Sequence, residues 1–472
     1  MSGPKRQFTS ADQEWFARLS GDANPLHLSA TFASRTYPGA PVVHGMHALV
    51  WALDQRCSVE KSVRIGGIQA IFIKPILLGD GVTVEGDGQS VRLNVRGETM
   101  AVATLTQPLS RTPIACDGGV IWAAGQPPLD RAGEDLSGKR GKIELPATIG
   151  ELAGKFPHLA QAASPEFVCG LAGVSTLVGM VCPGLHGVLS EVAATAAAPG
   201  GRCFAFSVVQ HDRRFSRVEI AVNARGIAGT VVAFAGGTDP PPADDPAIRA
   251  LIPPGAFTGQ APLIIGATSG LGTATARLLA AGGANPLLGY CDQADAATVL
   301  QTVHRLGDGA LVPFDVTTPA EGLKRLAAMG WRGNEAYYFA SPRIFRRRIE
   351  PYQAADLRDF LRIFVDGFYE TVLGLMDLRD DEPLTIFYPS TVALDAPLAD
   401  LFEYQTAKRI GEELCQRLRD NYRCLTIISA RLPRIATRQT RTFVKARAEM
   451  PEAVMAPLVR EVQTARPVRR PP

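Results

Sequence analysis

An aspartate and a histidine five residues apart, Asp22 and His27, stand in the stretch S-G-D-A-N-P-L-H-L, and fifteen residues beyond that histidine the chain reads V-V-H-G-M. Such a pair is what adding water to the carbons beside a carbonyl, or removing it, requires: one group activates the water and the other moves the proton at the neighbouring carbon. Asn24 precedes Pro25, and a residue before proline is pushed out of the helical region, so both side chains are expected in one non-helical loop. The apolar run from Val42 through Gly45 and Met46 predicts a helix whose first N–H groups have no intrahelical partner and can polarise a thioester oxygen. Singly, Asp22 reads as a helix cap and His27 as a surface histidine. Together with Gly45 they supply base, acid and oxyanion donor.

A second chemistry lies downstream. Leu263 to Ile265 leads into Gly266-Ala-Thr-Ser-Gly270-Leu-Gly272 and then a helical pattern, the order that lets a dinucleotide pyrophosphate approach a helix start. Gly266, Thr268, Ser269, Gly270, Leu271 and Gly272 are the candidate cradle, with Asp315 and Val316 after one strand and Ala340 after the next. Ser390 and Thr391 end a further strand. Tyr404 and Lys408 follow four apart on a helix, hence on one face, where the lysine charge is expected to lower the tyrosine pKa and make the phenol a proton donor or acceptor. A glycine trio alone is a common loop, and one Tyr-x-x-x-Lys among nine tyrosines is no surprise; the landmarks in order are.

The elements that must hold these groups follow from patterning. Ser10 and Gln13 form a capping box ahead of a first helix, and Gly45 to Arg56 is apolar almost all round, a buried helix. Alternating runs at 68–76, 82–85, 91–95 and 101–106 read as an antiparallel meander. Helix then meander recurs once, from Ser164 and then at 185–195, 203–209, 215–222 and 229–235. The repeat keeps His186 but no Asp–His loop, so His186 reads as structural. The expected domains are 1–115, a connection with little sheet at 116–163, a second and shortened repeat at 164–237, a proline-rich linker at 238–258, a strand–helix domain at 259–465 and a disordered tail at 466–472.

Composition narrows the class. The chain has 472 residues, 46% hydrophobic and 20% charged, with a net charge of +3; that indicates a multidomain globular protein and no nucleic-acid partner. No apolar run approaches a membrane span, no leader opens the chain, and the eight cysteines (57, 116, 169, 182, 203, 291, 415, 424) show no C-x-x-C, so a cytoplasmic protein with reduced thiols and no metal is expected.

At Asp22, Asn24, Pro25, His27 and the His44-Gly45-Met46 triplet the sequence resembles the (R)-specific enoyl-CoA hydratases and MaoC-like dehydratases. The resemblance implies a double hotdog in an α+β class, Asp22 and His27 as the catalytic pair, and Gly45 as an oxyanion donor; Ser29 replaces a frequent family aspartate. Over about 258–445 the chain resembles the short-chain dehydrogenase/reductases. This implies an α/β Rossmann-type doubly wound parallel sheet, with Tyr404, Lys408 and either Ser390 or Thr391 as catalytic groups. Phe364 stands where that family places a helix asparagine. An acid at Tyr290 would select NAD(H); its absence favours NADP(H). Arg343, Arg346, Arg347 and Arg348, and Arg431, Arg434, Arg438 and Arg441, are basic runs that could meet a coenzyme A phosphate or an acidic carrier protein, or simply be solvated. The two resemblances imply a homodimer acting on acyl-CoA or acyl-carrier-protein thioesters, with a 2-enoyl hydratase/3-hydroxyacyl dehydratase joined to a 3-oxoacyl reductase. The alternative is a hydratase carrying a non-catalytic reductase-like module.

Overall fold

The structure is a computed structural model that describes residues 3–465 apart from 35, 37–38, 108–118, 198–202, 225, 237–241, 294, 347–351, 397 and 441–447. Cys116, the tail at 466–472, Arg347, Arg348, Arg441 and two of the three prolines at 240–242 lie outside the described residues. The chain divides into two compact units, Met1–Thr238 with Thr442–Ala446 and Asp239–Arg441 with Arg447–Pro472. No described helix is long and apolar enough to cross a membrane.

The first unit is built on one sheet. Its strands are β1 (Lys5–Gln7), β2 (Gly67–Phe72), β3 (Gly81–Gly86), β4 (Ser90–Val95), β5 (Glu98–Thr106), β6 (Val120–Ala123), β7 (Arg140–Glu144), β8 (Gly187–Ala196), β9 (Cys203–Asp212), β10 (Arg217–Ala224) and β11 (Ile227–Ala235). They lie in the order β1-β3-β4-β5-β2-β8-β11-β10-β9-β7-β6, so two meanders join where β2 pairs antiparallel with β8. Alternation sets the faces: Val218, Ile220 and Val222 of β10 are buried between half-exposed neighbours, as a sheet with one covered face requires.

Four helical segments matter for the chemistry: α1 (Ser10–Ser20), α2 (Pro25–Leu28), α3 (Gly45–Val59) and α4 (Pro165–Thr176), the last running on as a π-helical turn at Leu177–Val181. Helix α3 buries Met46 through Asp54 without a break. Helix α4 begins at Pro165 with the Ser164 hydroxyl accepting from the Phe167 N–H, as the sequence foretells.

Three sequence readings change here. Thr9, not Ser10, caps α1, in a reciprocal pair with Asp12; an aspartate reaches back to the cap N–H as a glutamine would. The stretch 116–163 is no mere connection, because β6 and β7 extend the sheet beyond β9; Ile143 and Trp122 are buried, and the second meander is not shortened. The proline-rich stretch 238–258 contains the helix Asp245–Leu251, since Pro246 sits in its first turn, where proline is tolerated, and Ile248 is buried.

The second unit holds β12 (Leu263–Ile265), β13 (Leu287–Tyr290), β14 (Ala310–Pro313), β15 (Glu335–Tyr338), β16 (Leu384–Thr391) and β17 (Leu425–Leu432), all parallel, in the order β14-β13-β12-β15-β16-β17. Helices cover both faces: α5 (Gly270–Ala281), α6 (Ala354–Leu361), α7 (Phe368–Leu378) and α8 (Phe402–Asn421) are those that bear on the site. Ile264 points into one apolar cluster while Leu263 and Ile265 point into the other, which explains the unbroken hydrophobic run. The order reverses between β12 and β15, and in such sheets ligands bind beyond the carboxyl ends of the strands at that point.

Candidate active sites

Asp22 is delivered by the end of α1: Gly21 takes a left-handed conformation and stops the helix, and the Ser20 hydroxyl accepts from the Asp22 N–H at 3.1 Å. Asn24 is extended, as the following proline demands, yet Pro25–Leu28 then winds one helical turn with Asn24 as its cap, so His27 stands on α2 rather than in an open loop. The Asn24 amide donates to Gly179 O at 2.7 Å and to Leu185 O at 3.2 Å, tying the turn to the second half of the sheet unit.

The two predicted groups meet. Asp22 Oδ2 is 4.0 Å from His27 Nε2, with the aspartate 1% exposed and the histidine side chain 12%. His27 Nδ1 donates to Val42 O at 2.8 Å; that assigns the ring's hydrogen and leaves Nε2 facing the carboxylate. Burial raises the Asp22 pKa, opposed by the nearby His27, the Ser175 hydroxyl and the Asn24 N–H. Gly45 opens α3 with His44 at its cap, so its N–H belongs to the unpaired first turn.

Three residues outside the motif, Ser175, Gly179 and Gln13, surround the pair together with His44 of the motif itself. Ser175 Oγ on α4 donates to Asp22 Oδ2 at 2.6 Å. Gly179 leaves room for the carboxylate, since a Cβ there would lie 2.5 Å from Asp22 Oδ1. His44 is fully buried; its Nε2 stands 3.0 Å from Asp22 O, its Nδ1 2.8 Å from Gln13 Oε1, and its ring stacks on His27 at 3.8 Å. Burial, with His27 adjacent, drives the His44 pKa well below the ordinary histidine range. Gln13 Oε1 also accepts from the His44 N–H at 2.9 Å. Ligand atoms of Asp22, His27 and His44 lie within 4.8 Å of one another, with both Nε2 atoms about 4 Å from Asp22 Oδ2 and the two rings stacked. Ser29 caps the next turn through the Phe32 N–H, and His186 Nε2 lies 3.8 Å from Asp130 Oδ1.

In the second unit a cavity of about 370 Å³ opens at the predicted switch point. Ser269, Gly270, Leu271, Gly272, Ala340, Ser390, Thr391, Tyr404 and Lys408 line it; Gly266, Thr268, Asp315 and Val316 do not. Gly266 has φ +80°, and a Cβ on Gly272 would come within 2.2 Å of Gly266 O. That is a turn only glycines can make, leaving the head of α5 open to a pyrophosphate, so the residues fit a dinucleotide. Asp315 is exposed and accepts from the Thr317 N–H and hydroxyl at 2.8 Å each.

The hydroxyl ambiguity narrows. Ser390 Oγ donates to Glu412 Oε1, whereas Thr391 bonds the Tyr404 side chain. The expected electrostatics do not hold: burial pushes Tyr404 up to about 12, and Lys408 is not a cause of any lowering. Burial instead brings Lys408 down to about 7. Its Nζ donates to Pro389 O at 2.7 Å and lies 3.9 Å from the centre of the Phe364 ring and 4.7 Å from that of Tyr388. Among the described arginines of the two basic runs, Arg346 pairs with Asp356 and Asp359, and Arg431 with Glu412 and Asp395.

Comparison with known proteins bears on the first unit. Residues 2–107 match the MaoC like domain family. The (R)-specific enoyl-CoA hydratase of Aeromonas caviae is 34% identical over 125 residues, 26% of this chain and 84% of that protein. A 3-hydroxybutyryl-CoA dehydratase of Methylorubrum extorquens is 33% identical over 88 residues, 17% of this chain and 53% of that protein. The chain belongs to the MaoC-like family through its amino-terminal unit. Among solved structures, a 3-oxoacyl (acyl-carrier-protein) reductase from Agrobacterium tumefaciens C58 with NADP bound (16% identity, 44% of this chain and 88% of that one, TM-score 0.40) and levodione reductase (18%, 44% and 92%, TM-score 0.41) are similar; likeness at that level says nothing of activity.

Proposed function

We propose that the chain is a bifunctional enzyme on acyl thioesters: an (R)-specific 2-enoyl hydratase/3-hydroxyacyl dehydratase on a double hotdog, followed by a nicotinamide-dependent 3-oxoacyl reductase on a short-chain dehydrogenase/reductase domain. The carrying observation is the buried approach of Asp22 to His27 at 4.0 Å beside the head of α3. In hydration the pair takes one proton from a water whose oxygen bonds to C3 and gives one proton to C2, so H₂O adds across the double bond; dehydration is the reverse. The Gly45 N–H holds the thioester oxygen, where enolate charge gathers. The named activities of the Aeromonas and Methylorubrum relatives support this reading.

In the second unit NAD(P)H, when bound, would supply a hydride to the carbonyl carbon. Gly270 and Gly272 would hold its pyrophosphate at the turn that Gly266 makes, Thr391 would orient the carbonyl, and Tyr404 would give its proton to the oxygen. A phenol raised to about 12 is fully protonated near neutrality, which suits proton donation and therefore reduction. The missing acid at Tyr290 favours NADP(H). The second reading, a reductase-like module without turnover, is favoured by one observation: Phe364 packs its ring against the Lys408 ammonium.

The test offers the purified chain a 2-enoyl thioester, on coenzyme A and on a carrier protein, and separately a 3-oxoacyl thioester with NADH or NADPH. Formation of an (R)-3-hydroxy product and cofactor consumption abolished by Tyr404→Phe are expected. Hydration without any consumption leaves the second reading standing, and no hydration of any enoyl thioester defeats the first.

A further inference from the structure

The half of the first unit that lacks the Asp–His motif still reaches into the site. Helix α4 presents Ser175 to the Asp22 carboxylate at 2.6 Å, and the hydroxyl is 153 residues from its partner in sequence. Both side chains are buried, Ser175 at 7% and Asp22 at 1% exposure. One turn further on, α4 passes into the π-helical segment Leu177–Val181, which brings the bare Cα of Gly179 against Oδ1 of the same carboxylate and its carbonyl onto the Asn24 amide. The loop carrying the motif is therefore gripped at its carboxylate and at its cap by a single segment, 175–179. The Thr176 hydroxyl adds a third tie, donating to Ser20 O at 2.8 Å.

We propose that Ser175 is a positioning residue of the hydration site: its hydroxyl holds Asp22 Oδ2 in the rotamer that faces His27 and favours the ionised carboxylate, so the motif-free half completes a centre that the motif-bearing half cannot form alone. The inference rests on the hydratase reading of Asp22 and His27. A hydroxyl donating to a carboxylate stabilises the charged form, and a bond to a charged group is worth more than one between neutral groups. The groups facing Asp22 are His27 from α2 and His44 from the head of α3, with Ser175 and Gly179 from the α4 segment and no charged side chain from that segment.

The experiment measures hydration of a 2-enoyl-CoA by the full chain carrying Ser175→Ala, Ser175→Thr and, separately, Asp22→Asn. Ser175→Ala is expected to lower kcat about 10- to 100-fold while KM moves less than about threefold. The limb of the pH–rate profile that reports Asp22 ionisation should move to higher pH, and Ser175→Thr, which keeps the hydroxyl, should restore most of the rate. Circular dichroism and the Tm of each variant separate misfolding from mispositioning. A Ser175→Ala chain with wild-type kcat and an unmoved profile overturns the proposal, as does a loss that Ser175→Thr fails to rescue while both variants fold as wild type. An Asp22→Asn chain that hydrates normally sinks the hydratase reading itself, whatever Ser175 does.

Discussion

Asp22 in the first unit and Lys408 in the second are sealed from water to a similar degree, at 1% and 5% exposure, yet their surroundings differ in kind. Asp22 is met by a hydroxyl, a backbone N–H and a nearby imidazole, each of which favours the carboxylate and offsets part of the cost of burying it. Lys408 has one carbonyl and two aromatic faces, and burial, opposed by Cys415 and Glu412, still carries it down to about 7. In the first arrangement three groups act against the upward push of burial on the carboxylate; in the second the ammonium falls to about 7. Counting burial alone would have ranked the two sites as equals.

The comparison can be pushed hardest through a third buried group. His47 is buried among Phe8, Phe16, Trp15 and Phe156, with neither ring nitrogen hydrogen-bonded, and its pKa falls from 6.5 to about 3. The unfolded chain binds this proton first, so the stability His47 permits is intact above about pH 6.5 and drains away as the pH falls toward 3. The loss approaches about 5 kcal/mol by linkage. Urea unfolding followed across that range should show the slope, and His47→Leu should flatten it. A slope unchanged in His47→Leu would mean that the ring is charged or open to water in the folded state.

A smaller effect is expected where the donors crowd Asp22. Gly179→Ala sets a methyl against Oδ1, which should destabilise the first unit by about 1–3 kcal/mol and reduce hydration about tenfold. Unchanged Tm and turnover would remove Gly179 from the account. The smallest effect belongs to Lys408: if its ammonium serves the reductase, the rate should fall as pH rises through about 7, by about half at the midpoint, and Lys408→Arg should move that decline to higher pH. A flat profile in the wild-type chain would uncouple Lys408 from turnover.

What could be read in advance was local. The Asp22, Asn24 and His27 loop, the glycine turn at Gly266 to Gly272 and the Tyr404–Lys408 pair are each set within a few residues, where spacing alone fixes geometry. The contributions of Ser175 and Gly179 were not legible, because helix packing across 153 residues joins them to Asp22 and neither lies in a pattern that marks chemistry. Strands β6 and β7 were missed for a different reason: at four and five residues, with Gly141 inside one, they carry too little alternation to register. The expected lowering of Tyr404 by Lys408 failed because helical spacing gives a shared face but not a dielectric, and burial outweighs the charge it also suppresses.

The most direct measurement is a double-mutant cycle on hydration with Asp22→Asn, His27→Ala and the two combined. If the carboxylate and imidazole act as one unit, each single change costs about 10²- to 10⁴-fold in kcat, and the combined chain is no slower than the worse single variant. Losses that multiply, or a single variant that retains wild-type turnover, would contradict a shared proton-transfer centre at Asp22 and His27.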